Sequence, residues 1–161
     1  MKTIVGLISL ALLLSGCGPS DDDVRAIVQS ELAKASARME VTSAQVIGPY
    51  SPAVRVGNLL FVSGQIGLDS QTGQLAGTTI EAQTQRALQN LGSVLTSAGF
   101  DSSQVVQCSV FLKDMNDFQR MNVVYGGYFQ EGHYPSRTTV EVSNLPRNAI
   151  VEISAIACKS E

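Results

Sequence analysis

The chain has 161 residues, 44% hydrophobic and 16% charged, which supplies one packed domain and leaves too little length for two. Lys2 is the only charged side chain among residues 1–16, and the rest carries ten basic against fourteen acidic groups, a balance that argues against a nucleic-acid partner. With one His, a metal centre built from several imidazoles is excluded.

The chain opens with Lys2 and an apolar run, Ile4 to Leu14, too short to cross a bilayer of ~30 Å as a helix. Leu14-Ser15-Gly16-Cys17 follows and resembles a bacterial lipobox. That resemblance implies a signal peptide over 1–16 and an acylated Cys17 as the first mature residue. The alternative is an ordinary cleaved signal with an incidental Cys. Each buried CH₂ of an acyl chain contributes about 0.8 kcal/mol, so two or more chains anchor stably to a membrane. Gly18 after the Cys implies the outer membrane, periplasmic side, in a Gram-negative host. With Cys17 lipidated, Cys108 and Cys158 remain, either as a disulfide or as two buried thiols.

Gly18 to Asp23 reads as an acidic tether. Val24, Ile27, Val28, Leu32 and Ala35 share one face of a helix expected over 22–38, which either packs on the domain or acts as a spacer. A strand is expected over Val41–Ile47, then a hairpin of Val54–Val56 and Leu59–Val62 turning at Gly57-Asn58. After a loop over 69–77, Thr78 and Glu81 have capping-box spacing. Ala87, Leu88, Leu91, Val94, Leu95 and Ala98 form the stripe of a helix that Gly99 ends. Val105–Leu112 reads as a strand. Asn116 or Asp117 would cap a second helix with the stripe Phe118, Met121, Tyr125, Tyr128 and Phe129. Strands over Arg137–Val142 and Ile150–Cys158 complete the order β-β-β-α-β-α-β-β. This is an α+β domain with two helices on one face of a mixed sheet, and the bare opposite face calls for oligomerisation.

Three stretches could carry chemistry. Arg137, Thr139 and Glu141 share a strand face. Arg137 would either grip a carboxylate with two parallel hydrogen bonds or pair with Glu141. Glu152 is one carboxylate in an apolar strand, either poised as a proton shuttle by partial burial or exposed to solvent. Phe61-Val62-Ser63-Gly64-Gln65 ends a strand in a hydroxyl, a flexible backbone and an amide. Ser63 lacks a hydrolase elbow, and His133 reads as a loop residue rather than its base. Tyr50 is a phenol fixed at a turn. Walker, dinucleotide and zinc spacings are absent.

Taken together, three segments resemble the RidA/YjgF/YER057c/UK114 (Rid) family. They are Gly48-Pro49-Tyr50-Ser51-Pro52-Ala53-Val54 with Gly57 to Ile66, Val110 to Phe118 with Asn122 and Tyr125, and Pro135-Ser136-Arg137 with Val140 to Val142, Leu145-Pro146 and Val151 to Ala157. The match sets a domain over 46–161, preceded by 17–45 as lipidated Cys, tether and helix. It implies a chorismate-mutase-like fold, a homotrimer with clefts between subunits, and hydrolysis of 2-imino acids to 2-oxo acids and ammonia without metal or organic cofactor. In this reading Arg137 holds the substrate carboxylate and Glu152 activates water. Tyr50, Ser63, Gly64 and Asn122 line the cleft, with Thr139 where some relatives have Cys. A non-catalytic binder of 2-oxo acids, an RNA-cleaving enzyme and a structural envelope protein are the alternatives.

Overall fold

The computed structural model describes residues 19–42 and 48–160. Residues 1–18, including the expected leader and Cys17, and 43–47 of the expected first strand lie outside the described residues.

Helix α1 spans Asp21–Ser36, with three Asp in its first turn, favourable at the positive end of a helix. Its apolar stripe does not pack on the domain: Val24, Ile27, Val28 and Leu32 are all exposed. The chain then turns into strand β1 (Arg38–Val41), so the helix ends before residue 38 and the first strand begins there, ahead of the expected 41–47. β1 pairs antiparallel with β2 (Ala53–Val56), which turns through Gly57 at φ +62° into β3 (Leu59–Ile66).

Helix α2 spans Ile80–Ser97. Its cap is Thr79, whose hydroxyl accepts the Ala82 N–H, rather than Thr78, and Gly99 at φ +76° closes it as expected. The stripe is buried over Ala87, Leu88, Leu91, Val94 and Leu95. β4 (Val105–Leu112) follows. Of the expected caps, Asn116 sits inside a 3₁₀ turn, Met115–Asp117, which the Asp114 carboxylate caps at the Asn116 N–H, and Asp117 takes the N-cap position of the next helix without a side-chain capping bond. That turn feeds α3 (Phe118–Gly126), then β5 (Ser136–Glu141) and β6 (Val151–Cys158).

The six strands lie in the order β1-β2-β3-β6-β4-β5. β4–β5 pair in parallel and the remaining neighbours antiparallel, giving the expected mixed sheet. Helices α2 and α3 cover one face. Leu60, Val62, Val110, Val151, Ile153, Leu88, Leu91, Leu95 and Met121 form the core between them. Each such side chain contributes ~1.5–3 kcal/mol on burial, so this face holds the fold together. The other face keeps Phe61 and Val140 exposed and Phe111 and Ile156 half-buried. Cys108 on the core side and Cys158 are free thiols.

Candidate functional site

The site begins with an irregularity in β3. Val62 pairs with Ala155 and Gln65 with Ile153, so Ser63 and Gly64 together oppose the single residue Ser154. This β-bulge inverts the alternation of side chains. Leu60 and Val62 point into the core, but Ile66 beyond the bulge pairs with Glu152 and joins it on the open face. Two side-chain amides fix the far end of the strand. Asn90 Nδ2 donates to the carbonyls of Ile66 (2.9 Å) and Leu68 (2.8 Å). Buried Gln83 donates to the Gly77 carbonyl and accepts the Ile150 N–H, each at 3.0 Å, and Gly67 leaves room for its backbone.

The Glu152 side chain lies directly over Gly64. A Cβ added there would fall 1.7 Å from Glu152 Oε1, so only glycine fits beneath this carboxylate. Among the described residues the Glu152 carboxylate accepts no hydrogen bond and forms no ion pair. Partial burial raises its pKa above the usual carboxylate value. The Ser63 hydroxyl donates to the Ser51 carbonyl at 2.7 Å and its N–H to the Pro52 carbonyl at 3.0 Å, which ties the Tyr50 turn to the bulge. Tyr50, Ser63, Gly64, Ile66, Pro146 and Glu152 enclose an open cavity of ≈ 290 Å³. The sequence reading named four of these. Ile66 and Pro146 were missed as cavity walls, because the bulge that turns Ile66 outward has no signature beyond a Ser-Gly pair. A larger hollow of ≈ 500 Å³ lies across the Pro146–Asn148 turn. Its one ionisable group is Arg147, so it lacks an acid–base pair for hydrolysis.

Arg137, Thr139 and Asn122 belong to a different region. Arg137 pairs with Cys108 and Thr139 with Val110, both core-facing, so these two side chains lie on the helix-covered side at the β5 edge. Glu152 pairs with Phe111 on the opposite face, two strand positions away, roughly 10 Å across the sheet at the usual interstrand spacing. Arg137 lies over the rings of Tyr125 (4.6 Å) and Phe118 (5.6 Å). Asn122 falls between those two on the same stripe of α3. The possible Arg137–Glu141 pair does not form: the Glu141 carboxylate accepts the Met115 N–H at 2.8 Å, and among the described residues Arg137 has no ion-pair partner. The Thr139 hydroxyl is buried without a hydrogen-bond partner. The seven site residues expected in the domain thus lie in two regions of the chain: Tyr50, Ser63, Gly64 and Glu152 around the open-face cavity, and Asn122, Arg137 and Thr139 on the helix-covered side at the β5 edge. Among the described residues no three His, Cys, Asp or Glu side chains cluster as metal ligands, and no helix is long and apolar enough to cross a membrane.

A six-stranded mixed sheet with two covering helices, a bulge-seated carboxylate on one face and a ring-seated guanidinium on the other defines the class of this molecule. The family model described as endoribonuclease L-PSP matches residues 40–159. A RutC family protein of Pyrococcus horikoshii is 48% identical over 113 residues, covering 70% of this chain and 89% of that protein. The 2-iminobutanoate/2-iminopropanoate deaminase of Mus musculus is 48% identical over 111 residues, 69% of this chain and 82% of the relative. The crystal structure of E. coli TdcF with bound serine superposes with a TM-score of 0.69 at 34% identity, covering 76% of this chain and 97% of TdcF. The chain belongs to the Rid family.

Proposed function

We propose that the protein hydrolyses reactive 2-imino acids to 2-oxo acids and ammonia. The observation that carries this reading is Glu152: a half-buried, unpartnered carboxylate with a raised pKa, held over Gly64 in a cavity with Ser63 and Tyr50. Such a group can take a proton from water and return it. The mouse relative carries the name of this activity. The TdcF structure, solved with serine, supports a site in this fold for a ligand bearing an α-carboxylate.

In the proposed reaction the Arg137 guanidinium grips the substrate carboxylate, and Asn122 and Tyr50 orient the imine. Water attacks C2 as Glu152 takes its proton and passes it to the nitrogen. Glu152 then takes the remaining hydroxyl proton and delivers it to the amino nitrogen of the resulting aminol as the C–N bond breaks, so that ammonia leaves, the 2-oxo acid forms and the Glu152 carboxylate is restored. An iminium carbon is already electrophilic, so positioning and one proton relay suffice.

Arg137 and Glu152 lie on opposite faces of one chain, so a substrate bridging them requires two copies. We propose a homotrimer in which the Phe61, Ile156, Phe111 and Val140 face is covered by a neighbour and each cleft takes Arg137 from one subunit and Glu152 from the next. An RNA substrate fits less well, because after residue 16 the chain carries ten basic against fourteen acidic groups, the reverse of what a phosphate backbone attracts. We also propose that Cys17 is acylated and tethers the domain to the cell envelope through residues 18–20 and α1. Cys17→Ser protein that still sediments with membranes and still takes up labelled palmitate would refute the anchor.

The functional test uses an amino-acid oxidase to generate 2-iminopropanoate in the presence of semicarbazide. The expected result is that the protein lowers semicarbazone formation and that Arg137→Ala abolishes the effect. Unchanged trapping by folded protein, with 2-oxo acids still bound, would make it a binding protein instead.

A further inference from the structure

The guanidinium of Arg137 is held by rings, not by a carboxylate, and those rings form a chain that crosses to the other helix. Tyr125 and Phe118 face Arg137 at 4.6 and 5.6 Å. Tyr125 packs on Phe129 with centroids 4.9 Å apart and tilted by 50°, and Phe129 meets Tyr128 edge-on at 5.0 Å. Tyr128 in turn reaches α2 at Gly92, where a Cβ would stand 2.8 Å from its hydroxyl oxygen. Glycine is unfavourable in the middle of a helix, and at Gly92 the missing Cβ admits Tyr128. Tyr125 and Phe129 are buried, so the chain has little freedom.

We propose that this aromatic chain is the positioning device for the ligand-binding arginine, with Tyr125 and Phe118 as its direct members. The inference rests on the reading of Arg137 as a carboxylate clamp. Its physical basis is that a ring attracts a guanidinium through the ring face and leaves the N–H donors at the guanidinium edge free. A carboxylate neighbour would orient the group equally well but would occupy the same donors that a ligand needs. The absence of any Arg137 ion pair among the described residues, with Glu141 turned to the Met115 N–H, fits that division.

The test compares Tyr125→Leu with Tyr125→Phe in the full-length protein. Binding through the clamp is equal in ground and transition states, so Tyr125→Leu should raise KM about tenfold with kcat within about twofold, while Tyr125→Phe stays near wild type. The Arg137 Nε–H proton, assigned by its loss in Arg137→Lys, should resonate upfield in wild type and Tyr125→Phe and return to the ordinary position in Tyr125→Leu. Should Tyr125→Leu fail to fold, Phe118→Leu replaces it, with an expected KM increase of about threefold. An ordinary Arg137 resonance in wild type, or an unchanged KM in the leucine variant, overturns the proposal. A wild type that turns over no imino acid overturns the functional reading, and the resonance alone then decides this one.

Discussion

The two regions that hold the proposed site residues are built by opposite means. Around Glu152 the backbone does the work: a bulge turns Ile66 outward, a missing Cβ at Gly64 admits the carboxylate, and hydrogen bonds from Ser63 and Asn90 hold the strand. Around Arg137 the strand is regular and side chains do the work, with rings from α3 closing over the guanidinium. The carboxylate region is therefore intolerant of any added atom, whereas the arginine region depends on the flatness of its neighbours.

The comparison yields graded expectations. Glu152→Gln removes the proton relay and should lower kcat by about 10²–10⁴-fold in the trapping assay, the range for general acid–base groups. Arg137→Ala should lower kcat/KM by about 10²–10³-fold, the consequence of losing a hydrogen-bonded charge partner worth ~2–5 kcal/mol. Gly64→Ala forces the Glu152 side chain aside and should cost ~1–3 kcal/mol of stability, read as a lower denaturation midpoint, together with most of the activity. Arg120→Ala breaks an exposed bidentate pair with Glu81 (2.6 and 2.7 Å) that joins α2 to α3, and the smallest effect of the series is expected, a slight fall in the denaturation midpoint with little change in rate.

The raised pKa of Glu152 adds a stability signature. The folded state holds this proton more tightly than the unfolded chain, so the ionised carboxylate destabilises the fold as pH rises above about 4.5, the unperturbed value. Glu152→Gln should therefore melt higher than wild type at pH 7. The advantage should disappear as pH falls below that value, where both side chains are neutral. Thermal melts across pH read the sign directly.

Much of the architecture was legible because period and punctuation agreed. The Ala87–Leu95 stripe and the alternation in Val151–Cys158 each matched one burial pattern, and Gly57 and Gly99 ended elements where positive φ was needed. Boundaries failed where local polar groups competed. Asp117 holds the N-cap position of α3 as one of the two expected caps but makes no capping hydrogen bond, the turn before it being capped by Asp114, and Thr79 took the capping role from its neighbour Thr78. For the candidate site residues, the sequence supplied the side-chain types but not their distribution over two sheet faces. Strand alternation correctly grouped Arg137 with Thr139, yet the side of the sheet they occupy depends on the parallel register of β5 against β4. The stripe of α1 likewise had a clear pattern that left two readings open, packing on the domain or a spacer, and the exposure of Val24, Ile27, Val28 and Leu32 goes against the first.

The central claim is that one active site needs Arg137 from one chain and Glu152 from another. It is tested most directly by unfolding Arg137→Ala and Glu152→Gln proteins together, refolding the mixture and measuring loss of trapped imino acid. Each variant alone should be inactive. Random mixing should restore about one quarter of wild-type activity, the fraction of interfaces that combine an intact arginine with an intact glutamate. Mixed oligomers that remain as inactive as either parent would contradict the account and return both residues to a site within a single chain.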